Sequence, residues 1–338
     1  MAPKPIDPYN DDRVTHEFAN VRGKKYHYVH GMPKGRVRAT VLTIHGFPDL
    51  WYSWRFIIPA LLDMGLRVIT PDMIGYGQTD APRCAANKME PYGWKSIADD
   101  MAELLRQLDV PKVILLGHDW GGVIVSRIYL HHPDIVTHVA SVCTPYYGLT
   151  REYIPIEEYI KKVPTFTYQV AFADPQTEKD LEKRSEIDRF FRAVHRGLGD
   201  GPSGEIQVTK NFMMSLGDSP RGKLLTQQDL EYYVDQYSRN GFHGPLNYYR
   251  TRYQNYLDEK DMARSSIIDV PYLYIAATHD IATPPSLANT VGQARNIPNL
   301  MVREVKSSHW ALVECPDEVI GILDEWINTV CLGNKAML

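Results

Sequence analysis

The sequence predicts an α/β protein: a mostly parallel sheet flanked by helices and interrupted by an inserted helical segment. Three observations carry this. After residue 30, short apolar runs alternate with helical patterns, as strands and crossover helices do. From about Pro145 to Asp269 strand-like runs vanish, and tyrosines, charges and helical spacing dominate. Strand texture then returns at 270–277 and 300–305, ahead of a final amphipathic helix. The expected division is a first core part over 1–144, a helical cap over 145–269 and a second core part over 270–338.

The elements follow in order. Residues 14–30 alternate as two strands around a turn at Asn20-Val21-Arg22-Gly23. Val41–Ile44, Arg67–Thr70, Val113–Leu116 and Val136–Val142 are apolar runs of buried strands, which need helices on both faces. Ser96-x-x-Asp99 resembles a capping box opening a helix whose inward face is Ile97, Met101, Leu104, Leu105 and Leu108. Val123, Ile124, Ile128 and Tyr129 mark the helix after the third of these strands. Pro316 starts the last helix, with Val319, Leu323, Trp326 and Val330 inward.

Composition excludes several classes. Among 338 residues, 44% are hydrophobic and 23% charged, which excludes a disordered or fibrous chain. Lys+Arg is 37 against Asp+Glu 41, a net charge of -4, so no basic footprint for nucleic acid exists. Cys84, Cys143, Cys315 and Cys331 are scattered without CxxC spacing, against a zinc ribbon or a disulfide scaffold. No apolar run approaches a membrane span, and the N-terminus has no apolar signal region. A cytoplasmic location is the expectation; Ala336-Met337-Leu338 only faintly resembles a peroxisomal address.

The chemistry gathers at strand ends, where open α/β sheets place their ligands. Val113–Leu116 runs into Gly117-His118-Asp119-Trp120-Gly121-Gly122 and then a helix. This is G-x-nucleophile-x-G with Asp119 in the reactive slot. A sharp strand-to-helix turn leaves no room for side chains at the flanking positions. Alone, Asp119 could equally cap its helix. His45-Gly46-Phe47-Pro48 follows the first buried strand, where a backbone N–H can serve an oxyanion hole; Phe47 and Trp120 are the candidates. Asp280 follows the strand VPYLYIAA, and His309 follows the next one. Each alone could be an ordinary loop residue. Together, at these strand ends and in the order nucleophile, acid, histidine, they form a candidate triad.

At this point the chain resembles the α/β-hydrolase-fold epoxide hydrolases of the soluble or microbial type. The resemblance covers nearly the whole chain and is densest in HGFPDLWYSWR, PDMIGYGQTD and GHDWGG. It implies an epoxide hydrolase with an α/β-hydrolase fold and a helical lid, needing neither metal nor organic cofactor. Asp119 would be the nucleophile, His309 the base that activates water, and Asp280 its orienting partner. The family's two cap tyrosines have matches in Tyr168 and Tyr249; the choice of Tyr249 over Tyr248 rests on PLNYYR alone. A phenol, with pKa about 10, stays protonated at neutral pH and can serve the alkoxide of an opened epoxide. Tyr146 and Tyr147 are further candidates, and Tyr249, Tyr253 and Tyr256 could instead form a packing stripe.

The rival readings are a haloalkane or fluoroacetate dehalogenase and a non-catalytic receptor on the same fold. Dehalogenases share HGxP, GHDxGG and the final histidine. Ser141–Pro145 lacks the carboxylate that several of them carry, and Phe47 stands where many have Asn. Trp51, Tyr52, Trp54, Trp120, Phe166 and Trp310 suggest an apolar pocket. The expected partners are a small apolar epoxide and water, in a monomer or homodimer. Asp72 is expected to hold the loop after its strand rather than react.

Overall fold

A computed structural model describes residues 3–86, 88–200, 216–217 and 219–333. The terminal Ala336-Met337-Leu338 lies outside the described residues. Eight strands form one sheet in the order β1-β2-β4-β3-β5-β6-β7-β8. They are β1 (Val14–Val21), β2 (Lys24–Gly31), β3 (Ala39–Ile44), β4 (Leu66–Pro71), β5 (Val113–His118), β6 (Val136–Val142), β7 (Tyr272–Ala277) and β8 (Leu300–Val305). β2 runs antiparallel to β1 and β4, and β3 to β8 pair parallel. Every residue of β5 and of β7 is buried, as continuous apolar runs require. Parallel pairing brings the carboxyl ends of β3, β5, β7 and β8 to one edge.

Helices cover the sheet: α1 (Ile57–Asp63), α2 (Trp94–Gln107), α3 (Trp120–His131) and, near the end, α14 (Pro316–Trp326). Two sequence expectations need correction. α2 begins at Trp94, before Ser96, and no capping box forms. The Trp94 N–H donates instead to Asn255 Oδ1 at 2.9 Å, so the helix start is capped from the insertion. The Asp99 carboxylate meanwhile accepts from Lys95 at 2.7 Å and lies 2.8 Å from His132 Nε2. At the C-terminus α14 passes into a wider turn over Ile327–Cys331, so Ile327 is buried where Val330 was expected and Val330 is only half-buried.

Between β6 and β7 the described residues form helices and no strand. They are α4 (Ile156–Lys162), α5 (Tyr168–Ala173), α6 (Pro175–Asp180), α7 (Arg184–Val194), α8 (Gln227–Asn240), α9 (His243–Asn247) and α10 (Arg252–Glu259). α8 carries a true capping box, Thr226 with Asp229. Short helices α11 (Ser286–Thr290), α12 (Gln293–Asn296) and α13 (Ala311–Glu314) complete the second core part.

Arg127 of α3 ties the insertion to the core. It donates to Glu259 Oε1 at 2.9 Å, to the Tyr147 carbonyl at 2.7 Å and to the Gly148 carbonyl at 3.0 Å. Glu259 also accepts from the Thr150 N–H at 2.7 Å. Both side chains are sealed, at 0% and 1% exposure. Burial works to raise the Glu259 pKa, but the Arg127 charge outweighs it and holds the group below its ordinary value. Among the described residues no helix is long and apolar enough to cross a membrane.

Candidate active site

Asp119 occupies the turn between β5 and α3 with φ 53° and ψ -123°, a left-handed conformation for a residue with a side chain. Such strain costs about 1–3 kcal/mol and persists only where the surroundings impose it. They do so here by close approach. A Cβ on Gly121 would stand 2.0 Å from the Ile44 carbonyl oxygen, and one on Gly117 would stand 2.3 Å from that of Gly121. The turn therefore works only with glycine on both sides, and it lifts the Asp119 carboxylate above the sheet.

The Phe47 N–H donates to Asp119 Oδ1 at 2.6 Å. The Trp120 N–H heads α3 beside it and makes no hydrogen bond to that carboxylate among the described residues. His309 Nε2 lies 3.4 Å from Asp119 Oδ2, and His309 Nδ1 lies 2.7 Å from Asp280 Oδ2. Asp280 is held in turn by the N–H groups of Ala282 and Thr283 and by the Thr283 hydroxyl at 2.8 Å. Burial would raise the Asp280 pKa; the His309 charge and these hydrogen bonds prevail and hold it at about 2. Burial would lower the His309 pKa, but the two carboxylates prevail and push it well above 6.5.

His118 contributes a support that the sequence did not reveal. Its Nε2 lies 2.8 Å from the His309 carbonyl oxygen, which can only accept, so Nε2 carries the hydrogen. Burial, then the His309 charge, lowers its pKa to about 4, so it stays neutral. Thr283 was also missed, although its spacing of three residues after Asp280 suits a side-chain turn.

A cavity of about 500 Å³ opens above Asp119. Tyr168 and Tyr249 line it, with ring centroids 6.1 Å apart. Neither hydroxyl has a hydrogen-bond acceptor among the described residues, and neither is sealed from the cavity. Burial first, and the Asp119 charge among the further causes, raises both phenol pKa values, so both remain protonated. Tyr248 differs from its neighbour: its hydroxyl donates to the Ile74 carbonyl at 3.1 Å. Tyr146 is likewise committed, to the Ser266 carbonyl at 2.6 Å. The Tyr147 hydroxyl is buried without a partner in the cavity wall. Tyr249 lies between α9 and α10 and Tyr253 is 54% exposed, so the imagined stripe is not a core face.

Of the aromatics expected to bind substrate, Phe166 and Trp120 line the cavity. Trp51, Trp54 and Trp310 do not. Trp51 donates its ring N–H to Tyr232 of α8 at 2.7 Å, and Trp54 is wholly buried in the core. Trp310 donates to the Val194 carbonyl at 2.9 Å and stacks on His195. Tyr52 also turns away, donating to Asp229 at 2.7 Å. Asp72 holds its loop, accepting from the Trp51 and Gln78 N–H groups with His27 Nδ1 at 2.8 Å.

A nucleophile elbow after β5, an acid after β7 and a histidine after β8, roofed by helices, define an α/β hydrolase. The family described as alpha/beta hydrolase fold matches residues 39–316. Within that class, the chain belongs to the epoxide hydrolases. It is 33% identical to the epoxide hydrolase srdG of Neurospora crassa, over 97% of this chain and 99% of that one. It is 34% identical to bifunctional epoxide hydrolase 2 of Rattus norvegicus, and spans 58% of that longer protein. The crystal structure of epoxide hydrolase A from Mycobacterium thermoresistibile superimposes with a TM-score of 0.78 at 28% identity, over 92% of this chain and 97% of that one.

Proposed function

We propose that this chain hydrolyses epoxides to vicinal diols through an ester on Asp119. The observation that carries the reading is the pair of phenols, Tyr168 and Tyr249, facing the Asp119 cavity with no acceptor among the described residues. In the first step Asp119 Oδ2 attacks one epoxide carbon. The ring C–O bond breaks, and the departing oxygen takes a hydrogen bond and then a proton from the phenols. Without that donor the leaving group would be an alkoxide, whose conjugate acid is about as weak as water, pKa about 15.7.

In the second step water attacks the ester carbonyl carbon, the acyl C–O bond breaks to release the diol and restore the Asp119 carboxylate, and the proton that His309 takes from the water replaces the one the phenols gave up. The Phe47 N–H already addresses Oδ1, and the Trp120 N–H at the head of α3 completes the support for the oxyanion. His309 is the base. While Asp119 is ionised, two carboxylates favour the imidazolium; esterification removes one of them and frees the imidazole to take a proton from water. Asp280 orients the ring. In this reading residues 145–269 act as the lid, supplying both phenols. The substrate is a small, largely apolar epoxide.

The test is the origin of the new oxygen. In a single turnover with excess enzyme in ¹⁸O-water, the diol should carry unlabelled oxygen from Asp119, and label should enter the diol on later turnovers. Label in the first diol would mean direct attack by water and would end the covalent reading.

A further inference from the structure

His309 stands on the loop after β8, and a base must hold its place to within about 0.5 Å to serve a reacting atom. Asp280 fixes its ring, and His118 fixes its carbonyl. The chain leading into His309 has a third support. Glu314 Oε2 accepts from the Ser307 hydroxyl at 2.9 Å, from the Ser308 N–H at 2.7 Å and from the Ser308 hydroxyl at 2.6 Å. Glu314 is the last residue of α13, so the segment from Ser307 to Glu314 closes on itself with His309 inside. Ser307 is buried, and its carbonyl accepts from the His279 N–H at 3.0 Å, beside Asp280. The loops that carry the acid and the histidine are thereby tied together.

Glu314 Oε1 accepts from the Leu198 N–H at 2.6 Å, so both carboxylate oxygens are engaged. That donor is main chain, which any residue but proline supplies. Glu314 has no ion-pair partner among the described residues. Burial works to raise its pKa, but the Ser308 hydroxyl, the Leu198 and Ser308 N–H groups and the Ser307 hydroxyl outweigh it and hold the group below its ordinary value. It is therefore ionised at neutral pH, and hydrogen bonds to an ionised acceptor are about twice as strong as neutral ones. A carboxylate placed for an ion pair would face a cation. This one is spent on uncharged donors, most of them from the two residues that lead into His309.

We propose that Glu314 is a positioning residue for His309 and acts on the second half of the reaction. This deepens the epoxide reading and rests on it, because there His309 activates the water that attacks the ester. Alkylation of Asp119 needs no base, so it proceeds with the loop loosened. Hydrolysis needs His309 Nε2 within reach of a water that faces the ester carbon. Slack in the chain before His309 displaces Nε2 even while Asp280 holds Nδ1. The signature is a split between the two steps, which a general loss of stability does not produce.

The test follows a single turnover of styrene oxide by tryptophan fluorescence and measures the two steps separately. Glu314→Ala should slow ester hydrolysis about 10- to 100-fold and leave alkylation of Asp119 within about three-fold of parental. Glu314→Gln keeps one acceptor oxygen and should keep part of the hydrolysis rate. Ser307→Ala combined with Ser308→Ala should slow hydrolysis in the parent and add little in Glu314→Ala, since the three side chains act as a unit. Tyr52→Phe loosens the insertion elsewhere, at Asp229, and should leave both steps within a few-fold of parental. A readout without substrate is the downfield proton resonance of His309 Nδ1–H, shared with Asp280 at 2.7 Å. It should be sharp in the parent and broadened by exchange in Glu314→Ala. Equal loss in both steps, or a proton signal unchanged in Glu314→Ala, overturns the inference and spares the epoxide reading. A parent that forms no ester with any of a panel of epoxides overturns the epoxide reading, and the proton signal alone then decides whether Glu314 holds His309. If Glu314→Ala does not fold, Glu314→Gln and the serine pair carry the same comparison.

Discussion

Removing the phenol hydroxyls one at a time and together puts the proposed chemistry under most strain. Tyr168 and Tyr249 both face the cavity, and neither is held by an acceptor among the described residues. Each would donate to a developing alkoxide. A hydrogen bond to a charged group is worth about 1.5–3 kcal/mol, or roughly 10–150-fold in rate. Tyr168→Phe and Tyr249→Phe should each slow alkylation of Asp119 by about that factor, because the other phenol remains. The double variant should lose nearly all ring opening. Tyr248→Phe is the matched control. Its hydroxyl serves the Ile74 carbonyl, so its loss should cost about 1 kcal/mol of stability and leave the alkylation rate within a few-fold of parental. The assay is stopped-flow tryptophan fluorescence under single-turnover conditions, reported by Trp120, which packs 5.3 Å from the Tyr249 ring centroid. A double variant that still opens epoxides near the parental rate refutes the assignment. Loss in Tyr248→Phe equal to that in Tyr249→Phe would refute the choice between the neighbours.

Four further outcomes follow. His309→Gln should accumulate protein heavier by one substrate mass, on the peptide containing Asp119, with Asp280→Asn milder; intact-mass spectrometry decides, and fast steady-state turnover by His309→Gln would remove His309 from the mechanism. Gly46→Ala would place a Cβ 2.3 Å from Asp119 Oδ1, so activity should collapse while circular dichroism stays parental. Glu259→Gln leaves Arg127 buried and unpaired, which should cost about 3–5 kcal/mol in urea denaturation, and less if Arg127→Met is added. The raised His309 pKa contributes stability that is full below pH 6.5 and lost as pH rises through the folded value, whereas Asp280, lowered to about 2, contributes above pH 3.8 and is lost in acid. The melting-temperature gap between parent and His309→Gln should therefore narrow as pH is raised from 6 into the alkaline range; a constant gap would contradict this.

The strands were legible because buried parallel strands must be apolar at every position, and Val113–Leu116 or Tyr272–Ala277 read as nothing else. Asp119, Asp280 and His309 were legible because the parallel sheet turns chain order into spatial convergence. What failed was information held across the chain. The start of α2 is set by Asn255, 161 residues from Trp94, and no local pattern announces it. Trp51, Trp54 and Trp310 were misplaced because aromatic content says nothing about which side of a loop faces the cavity. Between Tyr249 and Tyr248 only the resemblance in PLNYYR chose; the physical difference lies in space, where one hydroxyl meets a carbonyl and the other meets the cavity.

The Arg127 anchor has a bearing on how such a molecule can change over generations. It grips the departing chain at Tyr147 and Gly148 and the returning chain at Glu259, so both crossings are stitched to the helix that follows Asp119. Everything between those stitches is a closed excursion. Lengthening a closed loop adds little entropy cost, about 0.6 kcal/mol per doubling. The far part of the excursion can therefore be rebuilt to admit a different molecule without transmitting the change to the strand ends below. Asp119, Asp280 and His309 on one side, and the excursion that carries Tyr168 and Tyr249 on the other, are then inherited on separate terms, with one buried ion pair as the seam between them.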